Sequence, residues 1–134
     1  MKTETLTQCG IVLFLALSSM LSSCGGMSRK EKDFVGSYYV PVISETTAAM
    51  ELHKDGTSLL RAEIPGEINV EVPGKWHIHE GNLVIDNEAE HIKVNGDRRL
   101  LGRIAENIVR PIKYYDKSRL VLVDRGLELA YRRR

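Results

Sequence analysis

The chain is 134 residues long and carries 19 Lys and Arg against 18 Asp and Glu, a formal net charge of +1, with 43% hydrophobic and 28% charged residues. That length fits one domain, and that balance excludes a disordered polar chain and a chain built of membrane spans. The charge is divided unevenly: residues 31–90 hold four basic and twelve acidic side chains, and residues 91–134 hold twelve basic and five acidic.

The first expected element is an export segment. Lys2 gives a short basic start, and Ile11-Val12-Leu13-Phe14-Leu15-Ala16-Leu17 is an apolar run. It is too short to cross a bilayer, which takes about 20 residues, and has the length of a signal-peptide core. The run leads to Leu21-Ser22-Ser23-Cys24, which resembles the bacterial lipobox: a branched apolar residue, two small residues and the invariant cysteine. The resemblance implies a signal peptide at 1–23 and acyl chains such as palmitate on Cys24, the first residue of the mature protein. Cys9 leaves with the signal, so no cysteine remains for a disulfide or a thiolate metal site. Gly25-Gly26-Met27-Ser28 and the mixed charges of Arg29-Lys30-Glu31-Lys32-Asp33 read as a flexible tether over 24–33. Position 25 is not Asp; by resemblance to Gram-negative lipoprotein sorting, this implies the outer membrane and leaves its face open.

From Phe34 the pattern is mostly period two. Met50 and Leu52 alternate with Glu51 and His53, Leu60, Ala62 and Ile64 with Arg61 and Glu63, and Trp76 and Ile78 with Lys75, His77 and His79. One apolar and one wet face per strand marks an antiparallel sheet around one core. Turn chemistry falls at Lys54-Asp55-Gly56, Pro65-Gly66, Pro73-Gly74, Glu80-Gly81, Asp116-Lys117-Ser118 and Asp124-Arg125-Gly126. The expected fold is mainly β over 34–134: a meander of about nine strands closed as a small barrel or sandwich. The strands are expected at 34–42, 46–53, 58–64, 67–72, 75–79, 82–86, 90–95, 118–123 and 127–132.

The segment near 98–110 reads differently. Asp97 could cap an amphipathic helix there, with Leu101, Ile104, Ala105 and Ile108 on one side, Arg99, Arg103, Glu106 and Arg110 on the other, and Pro111 at its end. Such a helix would cover an open end of the barrel; the alternative is a basic helix lying on a membrane surface.

Phe34-x-Gly36-x-Tyr38, Met50-x-Leu52-x-x-Asp55-Gly56-Thr57, Gly74-x-Trp76 and Leu83-x-Ile85 together resemble the small lipocalin-like lipoprotein domains of Gram-negative bacteria. They are similar also to the N-terminal barrel of the copper-homeostasis and envelope-stress lipoprotein family. That family carries a Cys-x-x-Cys early in its barrel, whereas Val40-Pro41-Val42-Ile43-Ser44 here has none, so its copper and thiol functions do not carry over.

His77-x-His79 is the one candidate metal pair, since residues i and i+2 share a strand face, but they oppose Trp76 and lack a placed third ligand. No nucleophile elbow, phosphate loop or paired catalytic carboxylates stand out. No metal, cofactor, catalysis or nucleic-acid partner is therefore expected. The expected function is that of a lipid-anchored envelope module binding a small apolar ligand, with Tyr38, Met50, Trp76, Ile78 and Tyr131 as candidate contacts. The alternative is a protein–protein module: an accessory subunit, inhibitor or stress sensor.

Overall fold

The structure is a computed structural model that describes residues 28–134. The signal at 1–23, Cys24 and the start of the tether lie outside the described residues. Among those described, no helix is long and apolar enough to cross a membrane.

Helical turn α1 (Arg29–Lys32) is followed by strands β1 (Gly36–Tyr39), β2 (Met50–Leu52), β3 (Thr57–Ile64), β4 (Ile68–His79) and β5 (Asn82–Asn87). Then come β6 (Lys93–Gly96), β7 (Asn107–Tyr115), β8 (Arg119–Asp124) and β9 (Leu127–Arg133). All pairings are antiparallel, and the ring β1-β2-β3-β4-β5-β7-β8-β9 closes through Tyr38 opposite Arg133. The result is an eight-stranded closed barrel with β6 added on β4. Among the described residues, closure leaves no long edge open to pairing with another chain; the free outer edge of β6 is 4 residues long.

The part of the expected tether nearest the barrel is ordered. Ser28 and Glu31 form a reciprocal capping box around α1, satisfying backbone donors that a helix start leaves free. Glu31 Oε2 also accepts the Ile78 backbone amide at 3.0 Å, fastening the turn to the end of β4. Phe34 follows, 1% exposed, with its ring 4.3 Å from that of Tyr115.

Two expectations are corrected. Pro73-Gly74 is not a turn: β4 runs through it with its buried phase unbroken at Ile68, Val70, Val72, Gly74 and Trp76. One edge of β4 pairs with β3, while the other is shared, with β6 along Ile68–Glu71 and β5 along Gly74–His79. The Pro73 carbonyl accepts the Glu88 amide at 2.8 Å, so its nitrogen faces this shared edge, in the gap between β5 and β6. A missing N–H costs little there. A Cβ on Gly74 would stand 2.5 Å from the Asp86 carbonyl oxygen, so only glycine lets β5 approach.

The second correction is the helix near 98–110. Asp97 does cap, but only the single 3-10 turn Arg98–Leu100; an irregular stretch and then β7 follow. Helical spacing loses to pairing: β7 supplies the partner β5 needs along Asn82–Asp86. Leu101 and Ile104 still find apolar company, packing on Ile68, Val70 and Val72. Pro111 fits the strand because Ile112 donates to the Gly81 carbonyl at 3.0 Å. Amide directions alternate along a strand, so the proline nitrogen faces away from β5.

The main core fills the lower barrel with Phe34, Tyr38, Met50, Leu52, Trp76, Leu83, Ile85, Leu120 and Leu122.

Candidate functional site: an apolar cavity at the barrel mouth

The two ends of the barrel differ. The starts of β1, β3, β5 and β8 meet at one end, which buried Phe34 closes, with α1 fastened beside it at the end of β4. At the other end Tyr39, Ile64, Asn87 and Asp124 finish their strands and Ile68, Asn107 and Leu127 begin theirs. Here the side chains do not fill the barrel, and a cavity of about 630 Å³ opens to solvent. Its wall is largely apolar: Met50, Leu60, Val72, Ile104, Ile108, Leu129 and Tyr131. These residues fall on inward phases of β2, β3, β4, β7 and β9, apart from Ile104, which the irregular stretch before β7 delivers to the rim.

A smaller cavity of about 230 Å³ continues the space beneath the 40–49 loop, lined by Val40, Ile43, Ala48 and Ala62. Val40, Ile43, Arg61 and Ala62 line both. Ile43 is 64% exposed and neighbouring Val42 94%, so the loop carries apolar side chains in water at the rim.

Polar groups are few, and most are already paired. Arg61 is held by Glu51, by Glu71 at 3.4 Å and by the Ala48 carbonyl at 3.1 Å. Glu51 in turn is held below the usual carboxylate range, first by its hydrogen bond with His53 and then, against some burial, by Arg61. Glu128 pairs with Lys113. Asn87 donates to the Ala105 carbonyl at 2.8 Å, and its buried Oδ1 has no partner among the described residues.

Farther in, Arg110 sits opposite buried Leu83, hence on the inner face, 3.6 Å from Asp124. Burial pushes the Tyr131 phenol above its ordinary value, and the Arg110 charge partly opposes that. The sequence reading put Arg110 on the wet side of a helix; the switch to a strand turns it inward.

Of the five candidate contacts, Met50 and Tyr131 line the cavity. Tyr38 and Trp76 belong to the core below it. The Tyr38 hydroxyl donates to the Phe34 carbonyl at 2.6 Å and the Trp76 indole to the His53 carbonyl at 2.9 Å. Ile78 packs against the same core near the closed end. Leu60, Ile108 and Leu129 line the cavity as well; the inward phase of Leu60 and Leu129 is legible in the sequence, whereas Ile108 reads there as helical.

His77 and His79 are exposed, with ring centroids 6.4 Å apart. Among the described residues no cluster of three or more His, Cys, Asp or Glu could hold a metal ion. Thr57, His53 and Glu51 do fall in the order of a nucleophile, a base and an acid, at 2.9 and 3.0 Å. The Thr57 hydroxyl, however, donates to Asp55 at 2.6 Å, so its proton is not directed at the imidazole.

No protein-family model, curated protein or solved structure matches the chain.

Proposed function

We propose that this chain is a lipocalin-like bacterial lipoprotein, anchored through acylated Cys24 in the outer membrane, whose barrel mouth binds a small apolar ligand without chemical conversion. The observation that carries the ligand reading is the cavity of about 630 Å³ with its apolar wall. Small-molecule sites commonly occupy about 300–1,000 Å³ with mostly apolar linings and a few polar groups. The polar groups at this rim are largely engaged with one another, which favours a ligand recognised by shape and apolar area over one recognised by charge. Nucleic acid, metal and cofactor have no part in the reading. The Leu21-Ser22-Ser23-Cys24 motif supports the anchor.

The test is native mass spectrometry of protein extracted from its own envelope, paired with titration of a fluorescent long-chain acyl probe. A bound species of a few hundred daltons, or saturable probe binding, is expected. An empty protein that also fails to bind the probe overturns the ligand reading. Exposed Val42 and Ile43 favour the second reading, a protein-binding module, and a co-purifying subunit in the same spectra would carry it. For the anchor, Cys24→Ser should abolish labelling by a fatty-acid probe, and label retained on the variant would place the lipid elsewhere.

A further inference from the structure

We infer that the closed end of the barrel rests on the anionic headgroups of the anchoring bilayer and that the mouth opens away from it, into the aqueous phase. The inference rests on the lipid-anchor reading of Cys24 and adds the orientation of the barrel to it.

The topology supplies the first argument. Chain continuity fixes where the anchor must attach. Ser28 caps α1, α1 is fastened to the end of β4 through Glu31 and the Ile78 amide at 3.0 Å, and Phe34 is buried beneath Tyr115. The chain therefore reaches the barrel at its closed end. Only four residue steps separate Cys24 from Ser28, at most about 14 Å of extended chain. The cavity lies at the opposite end. Glu63, beside the mouth, is in register with Asn69, ten residues before His79 along β4. At the usual rise and tilt of barrel strands that is about 25 Å of height. A tether that short, attached below, does not allow the mouth to turn over onto the same bilayer.

The charge distribution supplies the second. Arg29, Lys30, Lys32, Lys54, Lys117 and Arg132 are all exposed at or near the closed end. Of the carboxylates there, Asp55 and Asp116 are committed to their own turns, accepting from Thr57 and from Ser118 and Arg119. Glu31 accepts from Ile78 and Glu80 lies 3.8 Å from His79; these contacts orient the carboxylates without removing their charge, which offsets part of the cationic excess at this end. The mouth end exposes Glu63, Glu67, Glu90 and Glu106 beside Arg98, Arg99, Arg103 and Arg125, so its rim carries both signs. Arg29, Lys30 and Lys32 of α1, the cations next to the tether, favour the same orientation over an anionic surface as the tether does, while the rim carries both signs. Ligand then arrives from the water-facing side, delivered by a donor or from solution, and does not slide in from the anchoring bilayer.

The experiment uses the full acylated chain on vesicles of phosphatidylethanolamine and phosphatidylglycerol carrying a headgroup-linked energy acceptor. With Cys9 removed and Cys24 blocked by its thioether, His79→Cys at the closed end and Glu63→Cys at the mouth each offer a single thiol for a donor dye. Flotation first establishes attachment. At least two-fold more efficient transfer from position 79 than from position 63 is expected. Equal transfer, or more from position 63, in floating protein overturns the orientation alone and leaves the anchor standing. Protein that stays in the aqueous fraction overturns the anchor and the orientation with it.

Discussion

The Tyr38 hydroxyl donates to the carbonyl of Phe34, four residues earlier, across 2.6 Å inside the closed end of the barrel. The bond ties the segment leading out of α1 to the first strand, with both residues among the most buried of the molecule. Tyr38→Phe keeps the ring and leaves a buried carbonyl without its donor. A loss of about 1–3 kcal/mol in urea denaturation is expected. Unchanged stability would mean that water reaches this carbonyl.

The same phenol makes stability depend on alkaline pH. Burial pushes Tyr38 from 10.0 to about 12. Below about pH 10 the phenol is protonated whether the chain is folded or not, so its contribution is complete. As pH rises toward 12 the unfolded chain gives up the proton first, and the folded state progressively loses that advantage. Burial of Tyr131 acts in the same direction. Denaturation midpoints should fall between about pH 9 and pH 11.5, and the fall should be smaller in Tyr38→Phe. An equal fall in both proteins would assign the effect to other groups.

Gly74→Ala tests the crowded crossing of β4 and β5. The new Cβ would lie 2.5 Å from the Asp86 carbonyl and 3.1 Å from both the Asn87 Cα and the Ser58 Oγ. Backbone must shift, so a cost of about 1–3 kcal/mol is expected from overpacking. A neutral substitution would restore Pro73-Gly74 as the turn its sequence resembles.

The cavity can be obstructed without disturbing the core. Ala62 is exposed and lines both parts of the space under the 40–49 loop. Ala62→Trp should leave the thermal melt nearly unchanged and weaken binding of an acyl probe about ten-fold or more, the equivalent of some 1.4 kcal/mol. Probe affinity equal to that of the parent would place binding elsewhere on the molecule.

A core residue and a rim residue give a graded test of burial. Leu83 is 1% exposed, and Leu83→Ala should cost about 2–5 kcal/mol. Ile104 is only partly buried at the rim, so Ile104→Ala should cost about 1 kcal/mol, in proportion to the apolar area it covers. Equal losses in thermal melts would mean that Ile104 is as enclosed as the core.

His77 and His79 are both exposed on β4, and replacing them together with Gln should change stability by no more than about 0.5 kcal/mol. Calorimetric titration with Zn should show no one-to-one micromolar site. A tight isotherm abolished by the double substitution would make this pair a metal site.

The sequence by itself determined the β class, most strands and most turns, because these are written in neighbouring residues. Alternation such as Met50-Glu51-Leu52-His53 decides which side chains turn inward, and Asp55-Gly56 or Gly81 supplies a bend wherever it stands. The tertiary structure decided what depends on partners distant in the chain. Leu101, Ile104 and Ile108 satisfy a helical spacing locally, but the open edge of β5 takes Asn107–Pro111 as a strand, and ladder hydrogen bonds outweigh a local preference. Pro73-Gly74 reads as a turn until β5 and β6 are seen to divide one edge of β4 around it. The cavity was equally invisible, since its wall joins Met50, Ile104 and Leu129 from three distant parts of the chain. Periodicity reports the direction in which a side chain points; whether the space it points into is filled depends on the volumes of residues that meet only when the barrel closes.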